Sequence, residues 1–425
     1  MQEPNFEPPA EKQPTTPNVR MFITAWVSLT LVVGLGTFAT LFWALGGMDV
    51  SATAPTAMPE VAAAAAADAT AAAEPQVVTP DVLPLIEPIA PTAIPQVTPT
   101  PAPVAEVFCL GAHVIHGGLV AQDKMHNIGM TWAKLQAYDI TQDFKPDIEN
   151  AHRNNFRILL SVKDNANHLR VADPDYQEQL LKFLEGIAAK GADAIEVWNE
   201  PNLSREWPPN KMGGAYYTEL LKKAYTRIKA ANPNTLVISA ALSPTGAFNG
   251  GCGSIGDVFG CDDKPFLEKM VASGALDYLD CVGIHYNEGL LPPSATSGDP
   301  RGNSQHYTRY FKGMLDTYLG ILGGTKPLCF TELGYLSGEE WGTLPANFRW
   351  NPPVNMKVAQ QAEYLGAAVK LARSAGNIRM IIVFNMDFAV LKKDLGDDPQ
   401  AGYSIIRPND SCPACETLRA AMQPG

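Results

Sequence analysis

Two glutamates stand out by where the sequence delivers them. The stretch "AIEVWNEPN" at 194–202 is an apolar run that ends at once in Asn199, Glu200 and Asn202, with Pro201 blocking further sheet pairing. The stretch "PLCFTELGY" at 327–335 carries Glu332 out of a second apolar run in the same manner. A single Glu at a strand end serves a salt bridge as readily as a reaction. Two of them facing each other across a concave site suit glycoside hydrolysis, one protonating the leaving oxygen and the other attacking the anomeric carbon.

The surrounding pattern decides whether they face each other. Short apolar runs fall at 108–113 ("FCLGAH"), 132–138 ("WAKLQAY"), 156–162 ("FRILLSV") and 195–199. Four more fall at 236–242 ("LVISAAL"), 281–286 ("CVGIHY"), 328–332 ("LCFTE") and 380–385 ("MIIVFN"). Between them lie amphipathic stretches such as "YQEQLLKFLEGIAAKG", "AYYTELLKKAYTRIKAANP" and "KVAQQAEYLGAAVKLARSAG", the second stopped by Asn-Pro and the third by Gly. Strand alternating with helix implies a parallel sheet. Eight such units within 107–425 predict an α/β fold, a closed (β/α)₈ TIM barrel, over the alternative of an open doubly wound sheet. Barrel chemistry sits at the C-terminal strand ends, and strands four and seven lie across the mouth from one another. Glu200 and Glu332 end those two strands.

The two motifs together resemble those of the clan A glycoside hydrolases, the barrel enzymes that include the cellulase-like family 5 and family 39. "WNEPN" is similar to their strand-four motif, which implies Asn199 as a ligand of the sugar 2-hydroxyl and Glu200 as acid/base. "TELGY" is similar to their strand-seven segment, which implies Glu332 as nucleophile. "GIHY" resembles their strand-six segment, which implies His285 and Tyr286 in support of the site, Tyr286 holding Glu332 in place. The resemblance covers about 107–425 and departs after strand eight, where "FNMDF" stands in place of a Trp. It implies a retaining double displacement on an O-glycosidic bond of a poly- or oligosaccharide, with no cofactor and no metal. Acid catalysis then requires Glu200 to be protonated near neutral pH, hence with a raised pKa.

Loops must supply further substrate contacts. Trp207 follows Glu200 closely in "SREWPPN", and Trp341, Phe348 and Trp350 lie in the long segment after strand seven. Aromatic faces stack on the C–H face of a pyranose, so these are candidate platforms, Trp207 first among them. His113, at the end of the first strand, is a candidate to line the same site. His113 and His116 have metal-compatible types but no third ligand in view. The G-x-G-x-x-G match at 251–256 does not pass from a strand into a helix and is bracketed by cysteines, which speaks against a dinucleotide site. Cys252 with Cys261, and Cys412 with Cys415, are expected disulfides, whereas Cys109, Cys281 and Cys329 read as buried thiols on strands. Asn202 heads a glycosylation sequon that its place in the motif should render inaccessible.

Residues 21–47 carry no charge and are long enough to span a bilayer as a helix. Lys12 and Arg20 precede them and no Lys or Arg follows before Lys124, which sets 1–20 in the cytoplasm and the remainder outside. Residues 48–106 are dominated by Ala, Pro, Thr and Val and read as a disordered tether. The chain is therefore expected to be a single-pass cell-membrane protein, anchored through 21–47, with its barrel outside the cell. Charged residues make up only 18% of the 425, the formal net charge is -12, and no basic stripe is present, which speaks against nucleic acid as a partner. The rival reading of the same features is a membrane-tethered barrel that binds glycan without turnover.

Overall fold

The protein is described by a computed structural model covering residues 108–115, 117–392 and 394–423. The expected tail at 1–20, membrane helix at 21–47, tether at 48–106 and His116 lie outside the described residues. Among the described residues no helix is long and apolar enough to cross a membrane.

Eight parallel strands form one sheet: β1 (Cys109–His113), β2 (Trp132–Ala137), β3 (Arg157–Val162), β4 (Ala194–Val197) and β5 (Leu236–Ser239), then β8 (Val282–Tyr286), β9 (Leu328–Leu333) and β10 (Ile378–Val383). Between β5 and β8 a small antiparallel hairpin adds β6 (Cys252–Ile255) and β7 (Val258–Cys261). β10 pairs with β1, joining the last strand to the first. The seam between β5 and β8 is closed by parallel bridges from Ile238 to Cys281 and from Leu242 to Ile284, with Ser239 N donating to Cys281 O at 3.1 Å. Gly283 makes that seam possible, since a Cβ there would lie 2.2 Å from the Ser239 carbonyl oxygen. The eight expected strands are all present, each within a few residues of its predicted span.

The amphipathic stretches become the outer helices. Pro174–Ala189 begins with Asp173 accepting from Asp175 N and Pro174 in the first turn, where its missing N–H costs nothing. Gly214–Ala231 and Val358–Ala375 follow the other two patterns. Their apolar faces and the outward faces of the strands form the large core, including Leu184, Leu221 and Leu365. Inside the barrel, alternation stacks side chains in layers. The floor is apolar, built from residues such as Trp132, Leu159, Ala194, Ile238 and Met380.

Cys281 and Cys329 also lie in this floor, and there the thiol expectation fails: they form a disulfide between neighbouring strands, with Cα atoms 5.9 Å apart. The parallel pairing of Val282 with Leu328 places them side by side. Cys252–Cys261 and Cys412–Cys415 are disulfides as expected. The first staples the hairpin that contains the glycine-rich match, which turns between antiparallel strands and has no following helix at its tip.

Candidate active site

Above the apolar floor the barrel interior turns polar. Lys134 on β2, Glu196 on β4 and Thr331 on β9 are completely buried. Lys134 Nζ donates to Glu332 Oε1 at 2.9 Å and to Thr331 O at 3.1 Å, and lies 3.6 Å from Glu196 Oε2. Glu196 Oε1 accepts from Thr331 Oγ1 at 2.7 Å and from Ala241 N at 3.1 Å. Two carboxylates, one ammonium and their hydrogen bonds thus form a dry layer beneath the mouth. Such a layer tolerates no deletion, because an unpartnered buried charge is costly.

Glu332 rises from this layer because β9 is irregular. Its register against β8 passes from Ile284–Phe330 to His285–Glu332, skipping Thr331. That bulge lets adjacent Thr331 and Glu332 both reach inward, where a regular strand would send one out. Glu200 reaches the mouth by a different device. Trp198 and Glu200 have φ of 78° and 39°, left-handed values that non-glycine residues rarely adopt and that cost about 1–3 kcal/mol each. Glu200 N donates to Ala241 O at 3.0 Å, and Trp198 Nε1 donates to Glu206 O at 2.7 Å. Asn202 pins the turn from behind, donating to Ser243 O and Cys261 O and accepting from Ser243 N. Asn202 is fully buried in that role and is neither a cavity residue nor open to glycosylation.

His285 on β8 links the two glutamates. Its Nδ1 lies 3.2 Å from Glu200 Oε1 and 3.8 Å from Glu332 Oε2, so those oxygens are within about 7 Å of one another. Burial acts to lower the His285 pKa, but the charges of Glu332, Glu200 and Glu196 outweigh it and raise the ring above its ordinary value. Glu332 shows the converse. Burial acts to raise it, and His285 and Lys134 prevail, holding it at about 2.

Glu200 departs from the expectation of a raised value. Burial again acts upward, but the Arg205 guanidinium, 2.6 Å away, and His285 hold the carboxyl well below the usual carboxylate range. Glu200 is therefore an ionised partner of Arg205.

The two glutamates open on a cavity of about 350 Å³. Asn199 and His113 line it, as do Phe348 and Trp350 from the loop after β9. His113 is buried against Phe384 and Phe388, and burial with Lys134 nearby lowers its pKa to about 3, so it is neutral. Phe384, at the end of β10, also lines the cavity, so that an aromatic side chain faces the site where the sequence shows no Trp.

Three expected contacts are not made. Tyr286 points away from the cavity into the outer core, packs on Phe311 and Tyr335, and donates to Arg309 O at 3.1 Å. Strand alternation turns it outward, and Asn287 takes the place expected of it, donating to Glu332 Oε2 at 2.8 Å. Trp207 is likewise turned away. It is buried, stands edge-on to Trp198 and Tyr217, donates to Lys211 O, and supports the Glu200 turn from outside. It borders a larger groove of about 710 Å³ between the helices Pro174–Ala189 and Gly214–Ala231. That groove is remote from both glutamates, and its Arg227 is paired with Glu178 and Glu185. Trp341 lies under Arg407, outside the cavity lining.

Lys134, Glu196, Arg205 and Asn287 were missed by the motif reading. Lys134 and Glu196 carried one legible signal, a charge inside an apolar strand at an inward-facing position. Among the described residues no group of three or more His, Cys, Asp or Glu is arranged to hold a metal ion.

The architecture and site define a (β/α)₈ barrel with two glutamates at opposite strand ends in one cavity. No family model matches the chain, and no curated protein matches it. Among solved structures it is similar to an endo-β-1,3-glucanase of GH128 subgroup II from Sorangium cellulosum, at 16% identity and a TM-score of 0.46, covering 75% of this chain and 100% of that one. It is also similar to a GH5_18 protein from Streptomyces cattleya in complex with GlcNAc, at 14% identity and a TM-score of 0.49, covering 76% and 82%. A third is the endo-1,4-β-mannanase from Rhizomucor miehei, at 13% identity and a TM-score of 0.46, covering 74% and 93%.

Proposed function

We propose that the barrel is a retaining glycoside hydrolase that cleaves an O-glycosidic bond of a poly- or oligosaccharide. Glu332 is the nucleophile and Glu200 the acid/base. The observation that carries this reading is the placement of both carboxylates on one histidine, His285, at the floor of a cavity. The bound of about 7 Å on that oxygen pair accommodates the ~5–5.5 Å of a double displacement, which supports retention.

The environments also support these roles. Glu332 is ionised by two fixed, buried cations and held by Asn287, as a nucleophile must be. Glu200 takes its principal counter-ion from Arg205, whose side chain is 62% exposed, and it stands where the leaving group departs. The glycosyl-enzyme forms by attack of Glu332 on the anomeric carbon while Glu200 gives its proton to the leaving oxygen. Water then attacks the anomeric carbon, giving its proton back to Glu200 and freeing Glu332. Asn199, at the cavity wall beside Glu200, binds the sugar 2-hydroxyl. Three disulfides in the described residues support a site outside the cytoplasm, in keeping with anchoring through 21–47 and a tether at 48–106.

The roles are separated by leaving group. Glu200→Ala keeps the first step on a dinitrophenyl glycoside, which needs little protonation, and azide then releases the stalled intermediate as a glycosyl azide. Glu332→Ala stops the first step for every leaving group. Turnover of the activated substrate by Glu332→Ala but not by Glu200→Ala reverses the assignment, and no turnover by the wild-type chain on a panel of aryl glycosides refutes the function.

A further inference from the structure

The polar cluster at the barrel mouth is balanced by an unusual division of cations. Its three carboxylates are Glu196, Glu200 and Glu332. Two of its cations, Lys134 and His285, are buried and fixed by the strands that carry them. The third, Arg205, reaches in from the loop after β4, and its side chain is 62% exposed while that of Glu200 is 12% exposed. Removing Arg205 from this cluster leaves three carboxylates against two cations, and the simplest restoration of balance is a proton. Lys134 already holds Glu332 and Glu196, so the carboxylate left to take that proton is Glu200.

Other charged groups facing Glu200 do not replace Arg205. Glu206, on the same loop, is held by Lys163 at 2.7 Å. Glu288, beyond β8, is shared by Arg301 and Arg309, which keeps both guanidinium groups away from Glu200. His113 is neutral. Asp398, in the loop after β10, also lines the cavity, and its side chain accepts from the Gln400 amide at 2.7 Å. Arg205 feels the field of Asp398 as well as those of Glu200 and Glu206. Among the described residues no cation is paired with Asp398, and it lines the same cavity as the solvent-exposed Arg205 side chain.

We propose that Arg205 is a displaceable counter-ion that governs when Glu200 can act as an acid: a sugar on the leaving-group side of the cavity lifts the guanidinium off Glu200 towards Asp398, and a proton from solvent water takes its place. This rests on the acid/base role given to Glu200 above. No bond to carbon changes in the step: an O–H bond breaks in the solvent proton donor and an O–H bond forms on the Glu200 carboxyl. One proton moves from solvent to Glu200, and the following glycosyl transfer delivers it to the leaving oxygen. Arg205 is a positioning residue, since it acts on the sugar through Glu200. Paired with Arg205, the acid/base is held ionised, and it becomes competent only when a sugar fills the leaving-group side.

Two measurements on the full chain test this. The first needs no substrate. With glutamate ¹³C-labelled at the carboxyl carbon, and Glu200→Gln to assign the signal, Glu200 should titrate below the ordinary carboxylate range in the wild type. It should move up by at least about one pH unit, a tenfold change in proton affinity, in Arg205→Ala, and Arg205→Lys should return it most of the way. An unchanged Glu200 titration in Arg205→Ala overturns the counter-ion.

The second measurement compares pH profiles on an aryl glycoside with a poor leaving group. The basic limb of kcat/KM reports the free enzyme and that of kcat the complex. Arg205→Ala should move the first upwards and leave the second in place, because the complex has already released Arg205. Asp398→Asn should lower the basic limb of kcat. Equal shifts of both limbs in Arg205→Ala, which a merely structural role would give, overturn displacement by substrate, and an unmoved limb in Asp398→Asn overturns its destination. If the wild type turns over no glycoside while the carboxyl titration behaves as expected, the proposed function and the displacement step fall and the counter-ion stands.

Discussion

Lys134→Met should destabilise the barrel strongly at neutral pH and much less in acid. Lys134 is fully buried, and its ammonium is committed to Glu332, Glu196 and the Thr331 carbonyl. Methionine keeps most of the stem's volume and removes only the charge and its donors. Taking one partner from a buried ion pair costs about 3–5 kcal/mol, because the other charge stays behind without compensation. A second route gives the same order. Glu332 is held at about 2 against an ordinary 4.5, and at ~1.36 kcal/mol per unit that hold is worth about 3 kcal/mol, shared between His285 and Lys134.

The sign follows from the direction of the shift. A carboxyl depressed in the folded state contributes stability that is present above its unfolded value, near 4.5, and is lost as the pH falls towards 2. Removing Lys134 removes its share of that contribution at pH 7. As the pH drops, a proton on Glu332 substitutes for the missing cation and the penalty shrinks. Urea unfolding followed by tryptophan fluorescence, at about pH 7 and about pH 2.5, measures both. Glu332→Gln placed in the Lys134→Met background should recover part of the loss at neutral pH. A loss below about 1 kcal/mol at neutral pH, or an equal loss at both pH values, refutes the argument that this layer is held by charge.

Asn287→Ala removes a donor to an ionised carboxylate, worth about 1.5–3 kcal/mol, so kcat on an activated aryl glycoside should fall roughly 10–100-fold while Tyr286→Phe stays within about threefold; the reverse order would put Tyr286 back at the site. Trp207→Phe should lower the urea midpoint by an amount corresponding to about 1–2 kcal/mol, for its lost hydrogen bond and edge contact, with KM little changed. A large rise in KM at unaltered stability would instead make Trp207 a sugar platform. The paired change Cys281→Ala with Cys329→Ala opens a link spanning 48 positions and should cost about 2–4 kcal/mol, read as a lower Tm that dithiothreitol reproduces in the wild type.

The barrel was legible because its signal is repetitive: apolar runs of strand length alternated with patterns of helical period, and each strand lies where its run predicted. Glu200 and Glu332 were legible because each follows an apolar run of strand length, the first closed at once by Pro201. What remained hidden depended on register and on local backbone form. The pairing of Cys281 with Cys329 requires the register of β8 on β9, which an apolar pattern does not carry. Tyr286 was misplaced although alternation alone separates it from His285 and sets Asn287 on the same side as His285. Lys134, Gln136 and Tyr138 share one parity in "WAKLQAY", so an inward lysine could have been found. Arg205 could not, because its reach to Glu200 depends on the left-handed turn at Trp198 and Glu200.

On the proposed roles, these hidden residues account for a difference in chemistry between two similar side chains. A glutamate that attacks must be ionised until it bonds to carbon, and a glutamate that donates must hold a proton at one moment and lose it at the next. Glu332 is served by Lys134 and His285, cations that the sheet fixes in place and water does not reach. Neither can withdraw, so Glu332 has no occasion to take a proton. Glu200 shares His285 but draws its other cation from the solvent side, on a side chain tethered only through its loop. Of the two carboxylates, only Glu200 can exchange a cation for a proton without breaking the barrel. On the proposed reading, the exposure of its partner Arg205, more than its own burial, fits it to be the acid.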